Sequence, residues 1–339
     1  MQRWKQRPEG SNWGDYGDDD QLGRVNLIRQ PQVLKGMHEV KVGETFCLSL
    51  PLDLPGGNVL NPRRYPPALS PTSLGNDHYL NFPLANVHPL WEDVISDDQV
   101  TLSLQYSTQW DSLAHVGALF DADGDGKTER RYYNGYRAVA DIQHDNKEER
   151  HNRSRAERLG IENMARHGMQ GRGVLVDLAR VFGTGRTLID LDAWQFALRE
   201  LDVTLEPGDM LVIRTGFAEA LVEMEGTPDA ASLRQTGAVL DGRDPGLLEW
   251  ITDSGVATIC ADNYAVENID DESAEACCLK LPLHHHCLFK LGLPLAELWY
   301  LRELSDWLYR HARNRFLLTA PPLHLPGAIG SPVTPIATV

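Results

Sequence analysis

The sequence predicts an α/β fold built as a single large domain, on two observations. The segments "GVLVDL" (173–178), "DMLVIRTG" (209–216) and "VATICAD" (256–262) are short, near-continuous apolar runs, as in strands buried on both faces. Helical patterns fall between them, after a first part rich in strands and loops. The 339 residues suffice for a well-buried core, whether in one large domain or two small ones.

Taken in order, residues 1–35 form a polar arm rich in Gly and Asp. It holds Trp4 and Trp13, and tryptophans in such a segment indicate packing on something, a second subunit included. Residues 51–90, dense in Pro, Gly and Asn, read as a long loop over a surface or cleft, and loops of that length tend to be functional. "VTLSLQY" (100–106) alternates as a half-buried strand does. "PGD" at 207–209 is a turn feeding the strand after it. Helices are expected over 152–168, 192–201, 245–255 and 293–312. The domain itself is placed at 36–320, and the proline-rich tail 321–339 is expected to add little.

Composition narrows the function. The chain is 42% hydrophobic and 24% charged, as in ordinary soluble proteins. Its net charge of −16 repels phosphate backbones and anionic lipid, so neither nucleic acid nor a membrane is expected as partner. No apolar run reads as a signal peptide or a membrane span. The five cysteines, Cys47, Cys260, Cys277, Cys278 and Cys287, are odd in number and lack zinc-finger spacing. A reduced, cytoplasmic protein is expected.

The chemistry concentrates in "QYSTQWDSLAH" (105–115), which looks like a metal site with glutamines in place of two histidines. On a straight strand four residues span roughly 13 Å, so Gln105 and Gln109 meet one ion only if the chain bends around Ser107 and Thr108. His115 joins the same side if a helical turn follows Asp111. A neutral amide oxygen is a weaker, harder ligand than imidazole. Two glutamines and one aspartate therefore need further donors. "LPLHHHCLFKLGLPLAELWY" (281–300) supplies candidates: at least one of three consecutive histidines points inward, and Glu297 sits in an otherwise apolar helical pattern. Asp111, His285 and Glu297 together offer two negative charges and an imidazole, enough for a divalent ion.

These residues resemble the cyclase family of metal-dependent hydrolases, which includes kynurenine formamidases and isatin hydrolases. The family motif H-x-G-T-H-x-D-x-P-x-H lies over Gln105 to His115, with Ser107 at its glycine and Leu113 at its proline. The resemblance implies metal ligands at Gln105, Gln109, Asp111, His285 and Glu297, and a catalytic His115. The glutamine form resembles the branch containing trans-dienelactone hydrolases. "WGDYGDDDQLGRVNLI" (13–28), "HGMQGRGVLVDLAR" (167–180), "LEPGDMLVIRTGF" (205–217) and "ADNYAVE" (261–267) also read as family blocks. The resemblance further implies a swivelling β/β/α fold, a homo-oligomer and a small-molecule substrate, a lactone; with amide oxygens in place of two imidazoles, the expected divalent ion is zinc or manganese. Under it, Gln105 and Gln109 would serve as weak ligands or as hydrogen-bond donors to metal-bound water. An arylformamide hydrolase and a metal-free binding protein are the alternatives.

Other signals are weaker. "DADGDGKTERRY" (121–132) starts as a calcium loop does, but Tyr132 stands where a bidentate Glu is required, so a tight acidic turn is favoured over weak calcium binding. "GTGRT" (183–187) lacks the lysine of a phosphate loop. No serine-hydrolase elbow accompanies "RTGF". His144, His151 and His167 read as surface residues. Arg63 and Arg64 read as a solvated pair, with a substrate carboxylate as the alternative partner.

Overall fold

The computed structural model describes residues 2–144, 154–269 and 279–339. Its centre is a nine-stranded sheet. The strands are β1 (Thr45–Cys47), β2 (Gln109–Asp111), β3 (Gln170–Asp177), β4 (Met210–Arg214), β5 (Thr258–Ala261), β6 (Leu295–Glu297), β7 (Arg315–Thr319), β8 (Gly330–Pro332) and β9 (Ile336–Thr338). Their order is β1-β9-β7-β3-β4-β5-β6-β2-β8. The three apolar runs are β3, β4 and β5, parallel at the middle and followed by β6. Val174, Val176, Leu211, Ile213 and Ile259 join one apolar cluster; Leu175, Met210, Val212 and Cys260 join another on the opposite face. Covered on both sides, such strands need no polar alternation. The chain is a mixed α/β single domain, as its pattern predicts.

Helices α1 (Gln30–His38), α2 (Leu191–Glu200), α3 (Pro245–Ser254) and α4 (Arg302–Arg310) flank the sheet. Asp190 caps α2 by accepting from Ala193 N, and Asp244 caps α3 by accepting from Gly246 N. Both lie where the sequence places them. The 152–168 helix does not: Ser154–Ala156 is a strand paired with Ile142–His144, and only Glu162–His167 is helical. Residues 152 and 153, with His151, Cys277 and Cys278, lie outside the described residues.

Three further expectations are corrected. The stretch 100–106 is not one strand: a strand ends at Thr101, and the chain turns from Leu104 to Thr108 before β2 begins. The helix expected over 293–312 is only α4, and Glu297 lies on β6, because this segment is fully buried between β5 and β2. The tail 321–339 is part of the sheet, since β8 pairs with β2, and β9 lies between β1 and β7.

The N-terminal arm packs on its own chain. Trp13 is buried edge-on against Trp4, Phe120 and Phe289, and its Nε1 donates to Phe289 O at 2.7 Å. Residues 51–67 are irregular, with Tyr106 Oη donating to Gly57 O. Short hairpins then follow, pairing Ala68–Pro71 with Asp98–Thr101 and Phe82–Pro83 with Val94–Ile95. Among the described residues no helix is long and apolar enough to cross a membrane.

Candidate metal centre

Register brings the first donors together. In β2, Gln109 and Asp111 share one face and Trp110 takes the other, where it packs on Trp299. Glu297 of β6 lies opposite Gln109, and Ala296 opposite Trp110, so Glu297 projects to the Gln109 face. All three polar side chains are buried. The bend required by the spacing is present. Thr108 holds it, its Oγ1 accepting from Leu50 N and donating to Leu298 O.

The imidazole comes from His284 and not from His285. Residues Pro282–His284 form a helical turn that continues as a π-helical turn over His285–Lys290. Neighbouring helical residues point about 100° apart, so one of three histidines can face a given point. Glu267 selects which: its carboxylate accepts from Leu283 N (2.8 Å), His284 N (3.0 Å) and His284 Nδ1 (2.6 Å). His284 Nε2 then lies 3.4 Å from Glu297 Oε1 and 4.0 Å from Asp111 Oδ2. Asp111, His284 and Glu297 form a buried group able to hold a metal ion. His285 instead packs on Phe289, with ring centres 4.9 Å apart, and burial lowers its pKa to about 4. His286 pairs with Thr252 Oγ1 at 2.9 Å.

The glutamines part company. Gln109 satisfies its amide hydrogens with its nitrogen towards Ser107 O (3.2 Å) and Gln105 O (2.5 Å). Its side-chain oxygen then takes the position 3.3 Å from Glu297 Oε2. Asp111 Oδ2 is buried without a hydrogen-bond partner. The unpartnered Asp111 Oδ2 beside Glu297 and His284 suits a cation, and the two carboxylates match a divalent one. The donor set of amide oxygen, two carboxylates and one imidazole fits manganese as well as zinc. Gln105, by contrast, turns its amide nitrogen to Asp111 Oδ1 and to His115 Nδ1, the latter at 2.9 Å. It is a hydrogen-bond donor in this arrangement.

His115 lies beside the group, its Nε2 3.9 Å from Asp111 Oδ2. Burial lowers its pKa and outweighs the opposing charge of Asp111, so the ring is neutral at pH 7. For His284 burial acts in the same sense, but its hydrogen bonds to Glu267 and Glu297 overcome it and raise the pKa. Burial disfavours the charged form of Glu297 too, and His284 reverses this, lowering its pKa.

Sequence reasoning missed His284 and Glu267. The signal for Glu267 was a carboxylate closing the apolar "NYAVE", which has no reason to be buried unless it grips something. Of the weaker candidates, Arg64 is half-buried, and its Nη1 donates to Gln105 O at 2.6 Å. The turn at Asp121 is the expected acidic one: Asp121 accepts from Gly126 N, and Asp123 is taken by Arg131 and Arg137.

Known proteins share this sequence and fold to differing degrees. The Cyclase family model matches residues 78–268. A crystal structure of a novel cyclase is 32% identical, covers 97% of both chains and superposes with a TM-score of 0.74. Isatin hydrolase A from Labrenzia aggregata, bound to benzyl benzoate, is 13% identical with a TM-score of 0.54, covering 91% of this chain and 97% of its own. Isatin hydrolase A from Ralstonia solanacearum is 13% identical with a TM-score of 0.55, covering 91% and 95%. These two share the fold. A search of curated proteins gave no match. The family model spans more than half of the chain, and the 32% identity extends from end to end, so the chain belongs to the Cyclase family.

Proposed function

We propose that the protein is a metal-dependent hydrolase that opens a lactone of the trans-dienelactone kind. The observation that carries this reading is the unpartnered Asp111 Oδ2 facing His284, Glu297 and the Gln109 amide oxygen. Those four residues would hold the ion, which when bound lowers the pKa of water and polarises a carbonyl. Glu267 fixes His284 with Nε2 forward. Gln105 engages His115 Nδ1, so the neutral ring carries its proton on Nε2 and meets the substrate as a donor to the developing oxyanion. For His115 to act as the base instead, Nδ1 must hold the proton and the Gln105 amide must turn its oxygen to it.

The test is elemental analysis of protein purified without chelator, followed by turnover of a lactone panel and an arylformamide by apo and reloaded enzyme. We expect close to one divalent ion per chain and metal-dependent lactone opening. Less than about a tenth of an equivalent of any transition metal would count against the ligand set. Metal-dependent turnover of the arylformamide alone would replace the lactone reading with an amide hydrolase.

A further inference from the structure

We infer that Arg64 and Tyr264 form an anion subsite beside the metal centre, so that the substrate carries a carboxylate close to its scissile bond. The inference builds on the hydrolase reading and assigns residues to the carboxylate that a dienelactone carries.

Arg64 reaches the backbone carbonyl of Gln105 with Nη1. The Gln109 amide nitrogen donates to the same carbonyl, so one peptide oxygen separates the guanidinium from a candidate ligand. Among the described residues Arg64 has no carboxylate within ion-pair distance, and its Nε and Nη2 have no hydrogen-bond partner. Buried Arg172 and Arg214 are paired, with Asp209 and with Asp177 and Glu219, while buried Arg24 spends both its terminal nitrogens on backbone carbonyls. A half-buried guanidinium with two parallel donors open is shaped for a bidentate carboxylate.

Tyr264 completes the subsite. Asn61 Nδ2 donates to its hydroxyl oxygen at 3.1 Å, which leaves the O–H free to donate. Arg64, Asn61 and Tyr264 line one small pocket with Tyr106. Through Leu60 and Tyr264 this pocket shares lining with a cavity of about 200 Å³ whose walls are Val59, Phe217 and Leu233 together with Arg186 and Arg234. The positive charge of Arg64 is felt at Glu297 and His115, so an anionic group held on Arg64 lies near the centre rather than elsewhere on an acidic surface.

The test uses two readouts. Binding of 2-furoate and of methyl 2-furoate is measured by calorimetry on wild type, R64M and R64K, each with and without metal. Turnover is measured on an unsaturated five-membered lactone bearing a carboxylate and on its methyl ester. We expect furoate affinity to fall at least tenfold in R64M, with and without metal, and to recover partly in R64K. We expect kcat/KM of R64M to fall, mainly through KM, on the acid and little on the ester. Y264F should show a smaller loss of the same selectivity. Unchanged furoate binding in R64M, or equal losses on acid and ester, overturns the subsite whether or not lactones are turned over. Arg64-dependent furoate binding with no lactone turnover leaves the subsite standing and removes the lactone reading.

Discussion

At the scale of residues, the centre depends on side chains that touch no substrate. Glu267 accepts three hydrogen bonds from the His284 turn, and an amide cannot accept all three, because its nitrogen would face an N–H donor. Glu267→Gln should therefore weaken metal binding roughly 10–100-fold while the fold persists, as read by metal titration and circular dichroism. His115→Ala should keep its metal and lose on the order of 10²-fold in turnover. Gln105→Leu should also keep its metal and lower turnover, with a shifted pH profile, because His115 Nδ1 loses its partner. Metal loss from either variant would place that residue among the ligands. The sequence made Asp111, His115 and Glu297 legible because each is the one residue of its kind in its stretch. It could not choose among His284, His285 and His286, since adjacency leaves the inward direction open until Glu267 fixes the turn. Nor could it separate Gln105 from Gln109, whose roles differ only by where each amide points.

At the scale of elements, the errors share a cause: local pattern was overruled by what lies next to the segment. "LAELWYLREL" has helical composition throughout, yet its first part is a strand, because β5 and β2 leave an open position between them. The tail looked dispensable by its prolines, yet β8 pairs Gly330 with Asp111 and Pro332 with Gln109, directly behind the donors. A Cβ on Gly330 would lie 2.4 Å from Gln105 Cγ. Gly330→Ala should thus displace the Gln105 side chain without breaking the ladder. Expected are a near-normal thermal midpoint, normal metal content and turnover lowered by up to about 10²-fold. A large fall in the midpoint with turnover per folded molecule unchanged would show that this glycine serves the strand alone.

At the scale of the whole molecule, long-range ties hold the N-terminal part to the rest of the chain, and two of them bear on stability and the centre. Lys35 of α1 and Arg172 of β3 both bond Glu206 and lower its pKa from 4.5 to about 2. A carboxylate lowered on folding adds stability above its unfolded pKa and loses it as pH falls through the folded one. The advantage of wild type over Glu206→Gln in thermal midpoint should shrink between pH 4.5 and 2, and be modest throughout because Glu206 is partly exposed. The second tie is Trp13, fully buried against Phe289, whose carbonyl it also bonds. Phe289 lies on the π-helical turn that continues from His284, so the arm props the element carrying the imidazole. Trp13→Ala should cost about 3–5 kcal/mol through lost packing and cavity formation. Trp13→Phe should keep most of the packing but leave the Phe289 carbonyl without its donor. If the arm supports the centre, Trp13→Phe should bind metal more weakly than wild type at a temperature where both are fully folded. Equal metal affinity, with only the midpoint lowered, would confine the arm to stability and leave Glu267 as the support of His284.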